Sequence, residues 1–154
     1  MATPMHWTLE EMILAADVAN DLKWTGVRAN TPGIPELSEL LRSADYFPPG
    51  ACDASFRSPN SVAMKINNLR SSHPSKSGIG LRASRAELPV VQSFVDDPFT
   101  MENVAARIRD CILQSRPSKG LAMELMAFAT NTTWNEAMKR FPSNGISSIR
   151  SCSN

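Results

Sequence analysis

Residues 56–74 read FRSPNSVAMKINNLRSSHP, and the rest of the chain is read outward from this stretch. Ser58 is a natural N-cap, because its hydroxyl accepts from backbone N–H groups that the first helical turn leaves unpaired. Pro59 follows at the first helical position, where its missing N–H costs nothing. Val62, Ile66 and Leu69 recur at helical spacing and mark a buried face. The pattern predicts a helix over 59–71. Winding it at ~100° per residue puts Asn60, Ser61, Met64, Asn67 and Asn68 on the far side, with Lys65 and Arg70 on the flanks. Amides can meet base edges and cations can meet phosphates. The plainer reading is a solvated face on a surface helix.

The neighbourhood favours the first reading. Between Asp53 and Glu87 there is no acidic residue, while Arg57, Lys65, Arg70, Lys76, Arg82 and Arg85 all fall there. The whole chain balances 16 Lys and Arg against 15 Asp and Glu. The acids therefore lie elsewhere, and a local basic patch of this kind attracts polyanions. The Ser- and Gly-rich run SSHPSKSGIGLRASRAE after the helix is a loop. Its Lys76, Arg82 and Arg85 suit a phosphate backbone.

Ahead of this stretch, Thr8 and Glu11 have the spacing of a capping box. Leu9, Met12, Ile13, Ala16, Ala19 and Leu22 form the apolar stripe of a helix over about 8–23. WTGVRANTPG is a loop. A second helix over 34–43 starts at Pro35 and turns Leu37, Leu40 and Leu41 inward. The joint to 59–71 exceeds a dozen residues, against three or four in a minimal helix-turn-helix.

Behind it, a short helix over 88–95 is broken at Asp96-Asp97-Pro98, where the acid pair reads as a cap. Thr100 caps a longer helix from Met101 to about Gln114. The apolar run after Gly120 and the segment 133–141 predict a C-terminal helical pair. That pair either closes the core or meets a second copy of the chain. Residues 142–154 have too little apolar content to fold and read as a flexible tail. The fold expected is all-α: an elaborated trihelical helix-turn-helix core with additional C-terminal helices. Its divisions are 1–115, an extension over 116–141, and the tail.

No run of about 18 apolar residues exists, so no membrane span is expected. The first residues, MATPMHWTLEEM, lack the basic and apolar regions of a secretory signal. Cys52, Cys111 and Cys152 are scattered and odd in number, which fits free thiols in a reducing cytoplasm. Cys111 falls on a stripe position and reads as core. His6 and His73 are too isolated to build a metal site, and no nucleophile–base set can be argued from spacing. Neither cofactor nor catalysis is expected.

WTLEEMILAADVA, IPELSELLRS, FRSPNSVAMKINNLRSSHP and GIGLRASRAELPVVQSFVDDP, in that order, resemble the N-terminal domain of modification-dependent, McrA-like HNH restriction endonucleases. The likeness spans about residues 7–112. Arg57, Pro59, Asn60, Val62, Met64, Lys65 and Asn68 stand at motif positions. The family's Leu-Asp-Pro is replaced here by Ser72-His73-Pro74. The paired histidines and Cys-x-x-Cys units of an HNH nuclease are absent from this sequence. The resemblance thus implies the DNA-engaging head without its nuclease, in a restriction or defence context.

The expected function is non-catalytic binding of double-stranded DNA. Asn60, Ser61, Asn67 and Asn68 would lie near bases, with Arg57, Lys65, Arg70, Lys76, Arg82 and Arg85 at phosphates. The alternative is an interaction module, either a homodimer through the C-terminal helices or a dock for a separate nuclease.

Overall fold

The structure is a computed structural model that describes residues 6–44, 53–76, 87–116 and 120–128. Among these residues the chain is all helical, with six α-helices and a short 3-10 turn at Pro74–Lys76. The helices are α1 (Leu9–Asp21), α2 (Ile34–Ser43), α3 (Pro59–Ser71), α4 (Glu87–Asp96), α5 (Pro98–Leu113) and α6 (Leu121–Phe128). The segment 133–141 and the tail 142–154 lie outside the described residues.

Helix α1 is the axis of the fold and touches all five other helices. Its capping box forms as the sequence predicts: Glu11 N donates to Thr8 Oγ1 at 3.1 Å, and Thr8 N donates to Glu11 Oε1 at 2.9 Å. The expected amphipathic stripe is too narrow a description, however. Every residue from Glu10 to Ala16 is buried. A helix enclosed on all sides must match any charge it carries, and both glutamates have partners. Glu11 faces Arg57. Glu10 reaches the start of α6, where its Oε2 accepts from Ala122 N at 2.9 Å. Leu121 and Ala122 are buried in the same core, so the first turn of α6 closes the core.

Glu10 predicts a pH dependence. Burial raises its pKa above the ordinary 4.5 and Glu11 adds to the rise, while the N–H groups of Ala122, Glu10 and Gly120 partly oppose it. The folded state therefore holds this proton to higher pH than the unfolded chain. The associated stability is present below pH 4.5 and is lost as pH climbs through the raised folded value. Urea titrations from acid to neutral pH should show stability falling over that window. Glu10→Gln should flatten the fall, and an unchanged slope in that variant would discount the buried carboxyl.

The other boundaries follow local chemistry. Gly33 caps α2 at φ +100°, a conformation that favours glycine, and its N–H donates to Glu36 Oε1 at 2.8 Å. Asp97, with Pro98 next, caps α5 through Thr100 N at 3.2 Å. The cap is thus three residues earlier than the expected Thr100. Helix α1 ends in a left-handed Lys23 at φ 58°. Trp24 N bonds back to Ala19 O at 2.8 Å and Lys23 N to Asn20 O at 3.0 Å, a Schellman closure. Cys111 is buried as expected, but it is disulfide-bonded. That overturns the expectation of a free thiol there and removes the cysteine argument for a reducing compartment. Its partner lies outside the described residues. No helix among the described residues is long and apolar enough to cross a membrane.

Candidate nucleic-acid interface

Helix α3 forms where the sequence puts it. Ser58 Oγ accepts from Ser61 N at 3.2 Å. Val62, Ile66 and Leu69 are completely buried, with Ala63 beside them. They pack α3 against α1, α2 and α4. On the opposite side Asn60 is exposed, Met64 is 62% exposed, and Ser61 is half-buried.

The flanks depart from expectation. Arg57 is not at the surface. It is 4% exposed, with Nε 2.7 Å from Glu11 Oε2 and Nη2 2.9 Å from Glu11 Oε1. Nη2 also donates to His6 O at 3.2 Å. The rings of Trp7 and Phe56 lie 4.5 Å and 4.6 Å from the guanidinium carbon. A planar cation held by a two-pronged carboxylate and two aromatic rings has no face left for a phosphate. Its backbone is left-handed at φ 46°, and its carbonyl accepts from Ser38 Oγ of α2 at 2.7 Å. Arg42 of α2 ties down the same turn by donating to the carbonyls of Asp53 and Phe56. Arg57 is thus a structural joint between α1, α2 and the entry to α3.

Lys65 is likewise committed. Its Nζ lies 2.6 Å from Glu87 Oε2, at the first residue of α4. Glu87 ends the acid-free interval, and it folds back to neutralise a cation inside that interval.

Two amides also turn inward. Asn67 Oδ1 accepts from Val27 N at 3.2 Å, and Nδ2 donates to Val27 O at 3.1 Å. One side chain thereby satisfies both backbone groups of a buried residue 40 positions away. Asn68 is half-buried, and its Oδ1 is enclosed without a hydrogen-bond partner. Arg70 Nε donates to Trp24 O at 3.0 Å. The side chain of Lys76, and Arg82 and Arg85 entirely, fall outside the described residues.

Of the expected contacts, the structure leaves Asn60 and Ser61 facing outward. It withdraws Arg57, Lys65 and Asn67 into the fold, and it keeps Arg70 at the edge. The helical wheel carries no information about what packs beside α3, and Arg57 precedes the first residue of that helix. The Asn67–Val27 clamp and the Arg57–Glu11 pair are long-range, and no local spacing announces them. Among the described residues, no group of three or more His, Cys, Asp or Glu side chains could hold a metal.

A hollow of about 370 Å³ lies between α1, the Pro32-Gly33 turn and α5, lined by Asp17, Asn20, Asp21, Glu102 and Arg109. Arg109 Nη2 lies 3.3 Å from Asp17 Oδ2, and Asn20 Nδ2 donates to Glu102 Oε2 at 3.1 Å. Burial pushes the Asp17 carboxyl upward against the pull of Arg109. The hollow is acidic and separate from α3. No family model, curated protein or solved structure matches this chain.

Proposed function

We propose that the chain is a non-catalytic DNA-binding protein that offers the outer face of α3 to the major groove in helix-turn-helix fashion. One observation carries the reading: the N-terminal half of α3 turns Asn60, Ser61 and Met64 away from the core, on a helix within an interval that holds no acid from 54 to 86. An amide, a hydroxyl and a thioether on a rigid helix can reach base edges and the thymine methyl. The resemblance of residues 7–112 to the head of modification-dependent nucleases supports the same reading from sequence. It also suggests cytosine-modified duplexes as the first targets to try.

The cation count is smaller than the basic interval suggests. With Arg57 and Lys65 paired internally, Arg70, Lys76, Arg82 and Arg85 remain in that interval. About four phosphate contacts from this interval contribute roughly −3.6 to the slope of log affinity against log salt, against about −5.4 had all six of its cations been free. Fluorescence anisotropy on plain and cytosine-modified duplexes, at several salt concentrations, measures this directly. Asn60→Ala should reduce any preference between the duplexes while leaving the salt slope unchanged. A chain that binds neither duplex, or binds with no salt response, refutes the reading.

A further inference from the structure

We propose that the turn 23–28 forms a phosphate-binding wall beside α3, in which Lys23 and Arg28 stand with Arg70 and contact the sugar–phosphate backbone of duplex DNA. The inference rests on the DNA-binding reading above and adds a surface that lies outside the basic interval in sequence.

Two acid-free stretches meet at this corner. Residues 22–35 contain Lys23 and Arg28 and no Asp or Glu, and residues 54–86 contain Arg70. The fold joins them at two points. Asn67 holds both backbone groups of Val27, next to Arg28. Arg70 holds the carbonyl of Trp24, next to Lys23. The Arg70 guanidinium lies across Gly26, with Cζ and Nη1 3.9 Å from the position a Cβ would occupy. His73 stacks on Trp24 with ring centroids 4.7 Å apart. The turn is therefore seated on the C-terminal half of α3 by both of its ends.

The cations at this corner differ from the three that the fold pairs internally. Arg57, Lys65 and Arg109 each face a carboxylate. Among the described residues, no carboxylate pairs with Lys23, Arg28 or Arg70. Lys23 and Arg28 are exposed. Asp21, the nearest acid along the chain, is exposed at the end of α1 and forms no ion pair with Lys23. The arrangement commits part-buried hydrogen bonds to positioning a turn whose own charges meet no carboxylate among the described residues.

The dimensions agree with one groove edge. At ~1.5 Å rise per residue, Arg70 lies about 15 Å along the helix from Asn60. The major groove is about 12 Å wide. A helix entering the groove by its N-terminal half brings its far end, and the turn seated there, to the bordering backbone.

The test is the double variant Lys23→Asn/Arg28→Gln, titrated by anisotropy against a labelled duplex over a range of salt. Asparagine suits the left-handed backbone at position 23. Losing two phosphate contacts should make the salt slope less negative by about 1.8, with the thermal melt unchanged. Arg28→Gln alone leaves the left-handed residue untouched and should shift the slope by about 0.9. Arg107→Gln, an exposed cation on α5, should leave it unchanged. If wild type binds and Lys23→Asn/Arg28→Gln and Arg28→Gln both keep its slope, the wall is refuted while the DNA-binding reading stands. An equal shift from Arg107→Gln refutes it in favour of diffuse surface charge. If wild type does not bind duplex, both fail together.

Discussion

Arg57→Ala is expected to destabilise the fold by about 3–5 kcal/mol, the usual cost of removing one member of a buried ion pair. Glu11 is completely buried and would be left facing the space vacated by a cation. The same truncation removes the group stacked against Trp7 and Phe56 and leaves His6 O without its donor. Natural domains are stable by only about 5–15 kcal/mol, so the loss is a large share of the whole. Urea unfolding measures it. A cost under about 1 kcal/mol would mean that the pair is not the joint described above.

Two companion variants separate the causes. Arg57→Lys keeps the charge but not the fork, and should recover only part of the loss. Glu11→Gln/Arg57→Ala removes both charges and should cost less than the sum of the single changes, because no orphaned ion remains. DNA binding is informative too. At a temperature where Arg57→Ala is still folded, its salt slope should equal that of wild type. A slope shallower by about 0.9 would return Arg57 to the phosphate contacts.

Asn67→Ala should cost about 2–6 kcal/mol, since it strips the N–H and C=O of buried Val27 of their partner at about 1–3 kcal/mol each. Val27 is the residue affected, and the turn it anchors carries Lys23 and Arg28. Amide exchange at Val27 gives a direct reading: protection should collapse in Asn67→Ala while the amide of Ile66 stays protected. Asn67→Asp should not rescue it, because a carboxylate can accept from Val27 N but meets the Val27 carbonyl with no donor. A Val27 amide that stays protected in Asn67→Ala would remove the clamp from the account. Asn67 is therefore a positioning residue for the turn, and its loss should weaken DNA binding only through the turn it holds.

Much of the local structure was legible in the sequence. The Thr8–Glu11 box, the Ser58-Pro59 start of α3 and the Pro98 break each rest on contacts within one turn, so the spacing alone predicts them. The buried stripe Val62, Ile66 and Leu69 follows from helical periodicity in the same way. Helical spacing gave α1 a single apolar stripe where the fold encloses it on all sides from Glu10 to Ala16, and it offered Arg57, Lys65 and Asn67 to DNA. These errors share a cause. The kind of charge a side chain can carry is written in the sequence, but whether that charge is already matched depends on which distant element lies within about 3 Å.

By itself, then, the sequence determined where α1, α2 and α3 start and which face of α3 is apolar, because those are nearest-neighbour effects along the chain. Tertiary structure alone decided which cations are spent. Packing α1 at the centre brought Glu11 to Arg57, and the return of the chain to α4 brought Glu87 to Lys65. Seating the turn 23–28 on α3 left Lys23 and Arg28 at its edge with no carboxylate partner among the described residues. Ion pairing falls off steeply with distance once water intervenes, so only the folded arrangement can separate a cation that holds the protein together from one still available to a partner.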